Sequence, residues 1–509
     1  MATVSGAAAG EFRTPSITAV RVDWRAALDQ FRSEIHSEPS IASRFSFAAR
    51  HRVAAWDPRS IPAFVQLNAI TSPLFAGISR SPVPVLLPFD TAAWLEAKTG
   101  GTEPDISDHQ ADFRAVDFFH AGPSGYDAVF SLDPGAGDGL PSRTFARPVE
   151  VQITGSLLVY DLVDPHGGRG QPVKSLMAQF PDMRRFIREG YVRYAFTRFG
   201  VPYVVSIQCL DSAPRPRRLA CREAYPIAER FLKSLRIAGG QPARPHRDIA
   251  PELAERPQSW SPDFSYRPSG DIIANSGARR RGGHADPVAY SQIRFPLERA
   301  PARVSSQQFA RRKGGQQDVY PWRDNFCEAR SFNVGQCAAG FGHQGQDIRP
   351  APCPPNGPSD SACHPRKHAV VAVRDGVLIR SHRQQAATLQ INSGSEHIRF
   401  RYMHMNPVAM DADGVLNGRS VAEGEKIGVV SNYLDFPNGT SYHLHFDVQV
   451  FTRDGWIWVN PYTTLIASYE RMIGGRGREL GIDPPVGAAV AHALPRDVIK
   501  HDVREGRTN

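Results

Sequence analysis

Lysine is scarce in this chain: of 60 basic residues only seven are lysine and the rest are arginine. The net charge is +9. That excess is open to two readings, a compositional bias or a mild attraction to anionic polymers such as cell wall, lipid head groups or nucleic acid. No RNA- or DNA-binding signature accompanies it, so no nucleic-acid partner is expected. No run of 18 apolar residues occurs, and no transmembrane helix is expected. The first ten residues are small and polar and lack the apolar stretch of a signal peptide, so either the protein is not exported by that route or the start is that of a trimmed chain. No CxxC is present, which argues against a zinc ribbon or a thioredoxin-like motif. No HExxH is present either, so no helical glutamate is available as the base of a metallopeptidase.

What is present is an ordinary globular composition, 41% apolar and 22% charged over 509 residues, enough for two to four domains. The six cysteines, Cys209, Cys221, Cys327, Cys337, Cys353 and Cys363, fall into three close pairs. Three local disulfides fit that spacing and imply an oxidising compartment; reduced cysteines placed by chance are the alternative.

Read in order, the chain is multidomain α+β. Residues 1–20 form a flexible lead-in. Residues 21–148 are an irregular α+β region. Its first helix starts with Asp23 as N-cap, carrying Trp24, Leu28, Phe31 and Ile35 at helical spacing, and a second is capped by Asp90. Residues 149–238 make an α+β accessory module. It has a strand at 149–159, a helix at 173–188 interrupted at Pro181, strands at 191–198 and 202–209, and a last helix with Ile227, Phe231 and Leu235 on one face. Cys209 and Cys221 would staple its last strand to that helix. Residues 239–295, crowded with proline and holding Arg279-Arg280-Arg281, read as a disordered linker. From 296 to 470 strand-like segments recur, giving an antiparallel β domain. A hairpin is expected at Asp375-Gly376, and helical text follows at 462–473. A polar tail covers 471–509.

The chemistry concentrates in that last domain. Eight of the 17 histidines lie between His343 and His445. The segment 442–450 alternates strictly: Tyr442, Leu444, Phe446, Val448 and Val450 share one face, while His443, His445, Asp447 and Gln449 share the other. Two imidazoles on the polar face of a core strand point to a metal. His343 and Asp347 lie four apart among Gly340, Gly342 and Gly345, which argues for a tight extended segment over a helix. A catalytic zinc takes three protein ligands and leaves a fourth position for water. One His-Asp pair and one histidine of the His443/His445 pair would fill it, leaving the other histidine for proton work. His404 closes an alternating segment with Ile398, Phe400 and Tyr402. That place ordinarily belongs to a satisfied core histidine, but beside a metal cleft it becomes a candidate for holding the water or the attacked carbonyl.

The order and separation of these motifs resemble the lysostaphin-like, LytM-type zinc metalloendopeptidases that cleave peptidoglycan cross-bridges. The resemblance spans roughly residues 318–466. It rests on His343-Gln344-Gly345-Gln346-Asp347-Ile348, Val371 to Val377 with Asp375-Gly376 at its turn, Tyr402-Met403-His404, Gly424 to Gly428, and His443-Leu444-His445-Phe446-Asp447. It implies a duplicated-hybrid-motif-like antiparallel sheet, Zn2+ held by His343, Asp347 and His445, and His404 and His443 as the catalytic histidines. It implies peptidoglycan peptides as substrate, and with the cysteines a periplasmic, cell-envelope or extracellular location is expected. The chain departs from the family's pattern at Met405 for Leu, Asp447 for Glu and Tyr442 for Pro. It also inserts Cys353 to Cys363 after the first ligand pair, where it would rim the cleft; His364 and His368 read there as loop histidines. Two rivals stand beside this reading. One is a non-catalytic or latent wall-binding or amidase-activating protein of the same fold. The other is a zinc D,D- or L,D-carboxypeptidase, against which the short His343–Asp347 spacing counts.

Overall fold

The computed structural model describes residues 15–35, 62–99, 104–132, 148–162, 170–209, 219–242, 264–272, 291–304, 321–350, 368–432 and 442–480, apart from scattered single positions, together with Phe45 and Phe145. The insertion with Cys353, Cys363 and His364, the arginine run at 279–281 and the tail beyond 480 lie outside the described residues. The described chain is mostly β-sheet with few helices.

The local rules that mark the N-terminal helices hold. Asp23 Oδ1 accepts the backbone N–H of Ala26 at 2.9 Å, and helix Trp24–Ile35 buries Ala27, Phe31 and Ile35. Asp90 does the same for Ala93 at 3.1 Å, ahead of helix Thr91–Thr99. Helix Ala224–Ser234 buries Ile227 and Phe231, and its entry is fastened by the disulfide between Cys209 and Cys221.

One seven-stranded sheet dominates the first half. Its strands run in the order Phe113–Gly122, Gly125–Leu132, Glu150–Ser156, Val201–Gln208, Tyr191–Arg198, Arg184–Arg188 and Gln171–Pro172. Strands from both sides of residue 148 therefore share a sheet, and Val85–Leu87 pairs with Arg236–Gly239 across the same two segments. The helix expected at 173–188 is absent. Val173, Leu176 and Phe180 do bury their side chains, but a single 3-10 turn (Lys174–Leu176) suffices for that. Pro181 then stops helical hydrogen bonding. Arg184–Arg188 folds back antiparallel on Tyr191–Arg198 around Gly190, whose φ of 76° suits a residue without a Cβ.

An eight-stranded sheet organises the second half. Its order is Ala302–Val304, Gln346–Pro350, Leu444–Thr452, His397–Met403, Ala387–Asn392, Gly376–Ile379 and Ser420–Val421, with Gly455–Val459 paired to Leu444–Thr452. Leu444, Phe446, Val448 and Val450 enter one apolar core with Ile398, Phe400 and Tyr402, as the alternation requires. Tyr442 departs from that face and is exposed. Helix Tyr462–Ile473 closes the core.

Two further expectations are corrected here. Asp375-Gly376 turns the chain without making a hairpin: Ala369–Val371 pairs with Lys426–Val429, whereas Gly376–Ile379 pairs with Ala387–Asn392 and Ser420–Val421. The diversion is fixed just before the turn. Ala372 exchanges backbone hydrogen bonds with Glu425 (2.9 Å) and Gly424 (2.8 Å), and the Val373 N–H is taken by the Tyr402 hydroxyl at 3.0 Å. Within the expected linker, Phe264–Tyr266 forms a parallel pair with Gly477–Glu479, so part of that segment is ordered. It carries an aromatic anchor, with Phe264 packed 4.9 Å from Trp322 and 5.0 Å from Tyr469, which composition alone does not reveal.

Candidate metal centre

The sheet register assembles the site. Gln346–Pro350 runs antiparallel to Leu444–Thr452 with Asp347 directly opposite His445. Opposed residues project to the same face with Cβ atoms about 4.5–5.5 Å apart, so the carboxylate and the imidazole meet without further help. His443 lies two residues earlier on the same face and bridges to Ser431. On the other flank, His397–Met403 sets Met403 opposite His445.

His343 reaches the group from the turn that precedes Gln346. The turn passes so close over the neighbouring strand that a Cβ on Gly345 would sit 2.4 Å from the Phe446 carbonyl oxygen and 2.9 Å from His445 Nε2. Only glycine fits there. The turn is tied to the loop closed by the Cys327–Cys337 disulfide: His343 N–H donates to the Glu328 carbonyl at 2.7 Å, and Cys327 N–H donates to the His343 carbonyl at 2.8 Å.

Three donor atoms converge. His343 Nε2 lies 2.9 Å from His445 Nδ1 and 3.3 Å from Asp347 Oδ1, and His445 Nδ1 lies 3.4 Å from the same oxygen. Tetrahedral coordination with bonds of about 2.0–2.1 Å places donor atoms roughly 3.3 Å apart. These three residues could therefore hold a metal ion, and all three are buried. Tautomers agree with that geometry. His343 Nδ1 faces the Asn325 carbonyl oxygen at 3.0 Å, and His445 Nε2 faces Asp447 Oδ2 at 3.2 Å. Protons on those two nitrogens would satisfy both acceptors and leave the opposite nitrogens, which face each other and Asp347 Oδ1, to bind a metal.

The charges follow. Burial works to raise the Asp347 carboxyl, but His443 and His343 outweigh it and hold the group well below the ordinary carboxylate range, so it stays ionised. Burial lowers the His445 imidazole, and hydrogen bonds to Asp347 and Asp447 overcome this and raise it. His404 moves the other way, well below the ordinary value, chiefly by burial and then by His443 and His445.

His404 arrives by a route that alternation does not describe. The strand ends at Met403, and His404 adopts a left-handed backbone with φ 67°. That conformation is uncommon for a residue with a Cβ and costs on the order of 1–3 kcal/mol. Its N–H is held by the Gln385 side chain. The result brings the ring to 4.6 Å from His443, tilted by 59°, and to 6.0 Å from His445, edge-on at 71°, centroid to centroid.

All five expected residues thus occupy one locality. His368 is not among the three residues whose donor atoms converge, and its carbonyl accepts from Val430 N–H at 3.0 Å. Sequence reading missed Asn325 and Gln385, which orient His343 and His404 from irregular segments. Nothing in their spacing marks them. It also missed Arg401 and Trp458, both bonded to Asp447. Their signal was available, since Arg401 shares the polar face of an alternating strand.

No family model matches this chain, and no curated protein matches it. Among solved structures it is similar to one that carries the name glycyl-glycine endopeptidase lytM, from Ruminococcus gnavus, with 17% identity and a TM-score of 0.22. The match covers 38% of this chain and 65% of that one, less than two thirds of its length. A likeness of that size decides neither fold nor activity, and the functional reading is carried by the geometry of the site.

Proposed function

We propose that the chain is a zinc-dependent metalloendopeptidase that hydrolyses peptide bonds in the stem or cross-link peptides of peptidoglycan, with a catalytic domain of the duplicated-hybrid-motif kind. The observation that carries it is the triangle of His343 Nε2, Asp347 Oδ1 and His445 Nδ1, with edges of 2.9–3.4 Å, flanked by two further imidazoles. Two imidazole nitrogens and one carboxylate oxygen are a donor set suited to Zn2+. Zinc in such a site supplies a polarised carbonyl and a bound water made acidic near neutral pH.

The residues themselves do the rest. His343, Asp347 and His445 are the ligands. His443 keeps its Nε2 3.3 Å from Asp347 Oδ1, at the edge of the triangle, where it can hold a water or a substrate oxygen. Burial keeps His404 neutral, so one ring nitrogen can accept a proton and the other can donate to a developing oxyanion. The active compartment is the periplasm or cell envelope, in keeping with the disulfides Cys209–Cys221 and Cys327–Cys337. Among the described residues no helix is long and apolar enough to cross a membrane.

A latent form of the same enzyme is a second reading, favoured by one observation: His343, Asp347, His443 and His445 are each at most 4% exposed. The test for both is incubation of purified protein with peptidoglycan sacculi, with and without chelator, before and after limited proteolysis. Chelator-sensitive release of peptide fragments supports the enzyme, and release that rises after proteolysis supports latency. No chelator-sensitive release in either arm refutes both.

A further inference from the structure

Asp447 is buried on the polar face of the histidine strand, two residues beyond His445. Three groups grip its carboxylate. His445 Nε2 lies 3.2 Å from Oδ2, Arg401 Nε donates to Oδ2 at 2.7 Å, and Trp458 Nε1 donates to Oδ1 at 2.9 Å. The carboxylate is therefore fixed in direction from two sides, with Oδ2 placed to accept a hydrogen bond from His445 Nε2. So held, the ring presents Nδ1 to His343 Nε2 and Asp347 Oδ1.

The grip is itself clamped. The Trp458 ring packs with Phe326, Val334 and Cys337 of the disulfide-closed loop. Two guanidiniums lie over the indole, Arg401 at 5.3 Å and Arg193 at 5.5 Å from its centroid, within the range of cation–π attraction. Arg193 comes from the seven-stranded sheet of the first half, and its Nη1 also donates to the Trp456 carbonyl at 2.8 Å. A continuous path of contacts thus runs from that sheet to a proposed metal ligand: Arg193, Trp458, Asp447, His445.

We propose that Asp447 is a positioning residue that sets the tautomer and orientation of His445 for metal binding, and that Arg193 of the N-terminal sheet supports it through Trp458. This inference rests on the metal-site reading above. It gives the first half of the chain a part in the metal centre.

The test uses the full chain, stripped of metal, and measures zinc affinity by competition with a chromophoric chelator and the visible spectrum after Co2+ loading. Asp447→Asn, close in shape, should bind zinc about 10–100-fold more weakly and give an altered cobalt spectrum. Arg193→Ala should weaken zinc about two- to fivefold. Thermal unfolding of the metal-free proteins separates a positioning effect from loss of fold. If Asp447→Ala fails to fold, Asp447→Asn still decides. Unchanged zinc affinity and cobalt spectrum in Asp447→Asn overturn the role of Asp447, and unchanged affinity in Arg193→Ala overturns that of the N-terminal sheet. Wild-type protein that binds neither ion overturns the metal-site reading itself.

Discussion

At the scale of residues, His404 and Gly345 show what backbone freedom does for the site. His404 accepts a left-handed conformation to stand beside His443, and it is not one of the three residues of the donor triangle. His404→Ala is expected to keep its zinc and to lose activity by about 10²–10⁴-fold, the range for a lost proton-handling group. Metal analysis together with fragment release from sacculi measures both. Gly345 stands where any Cβ collides with the Phe446 carbonyl and the His445 ring. Gly345→Ala should push the His343 turn away from the strand and weaken zinc binding at least as much as loss of an outer partner, about 10-fold or more. Chelator competition reads that directly. His443 and His445 were legible because a period-2 strand puts them on one face whatever surrounds them, whereas the roles given to His343, Asp347 and His404 rested on the resemblance of motif order and spacing. The posture of His404 was not legible, since its left-handed φ rests on a side chain 19 residues away.

At the scale of elements, legibility follows the range of the interaction that decides each one. Helices Trp24–Ile35 and Thr91–Thr99 carry their caps and buried stripes in adjacent residues, and the expected and observed elements agree. The stretch 173–188 has a helical spacing of apolar residues, yet it is the neighbouring strand Tyr191–Arg198 that decides its last third. Asp375-Gly376 likewise has the composition of a hairpin turn, and the partners that override it are Glu425 and Tyr402, 29 residues or more from Val373. Local disulfides belong to the legible class. The Cys209–Cys221 bond closes a short loop with a separation of 12 residues. Replacing both cysteines with serine should cost about 2–3 kcal/mol of stability, read as a shift in the urea midpoint with little change in slope.

At the scale of the whole molecule, the two large sheets meet through buried charge. Asp127 of the first sheet accepts from His397 Nε2 at 2.8 Å, from Arg399 Nη2 at 3.1 Å and from the Thr154 hydroxyl at 2.7 Å. Ser124 N–H donates to Asn392 at 3.0 Å nearby, and Phe451 and Trp456 of the second half enter the core of the first. Asp127→Ala would leave Arg399 buried beside a void and should destabilise the protein by about 3–5 kcal/mol in chemical unfolding. Burial works to raise the Asp127 carboxyl, but His397 and Arg399 outweigh it and bring it down to about 2 from an ordinary 3.8. A folded-state value below the unfolded one gives stability that is full above about pH 4 and is lost as pH falls toward 2, roughly 2 kcal/mol in all. Acid titration of the unfolding free energy should show that loss in wild type and a smaller one in Asp127→Asn.

The proposed metal centre joins these scales, because strand register brings Asp347 opposite His445, outer partners face the imidazoles, and one of those partners is touched by a residue of the opposite sheet. The most direct measurement is the zinc content of the full chain after equilibrium dialysis, taken for wild type and for Asp347→Ala with the fold of both checked by circular dichroism. One equivalent of zinc in wild type and none retained in the folded variant is the expected result. A folded wild type that retains no zinc, or a variant that retains it equally well, would contradict the assignment of the site.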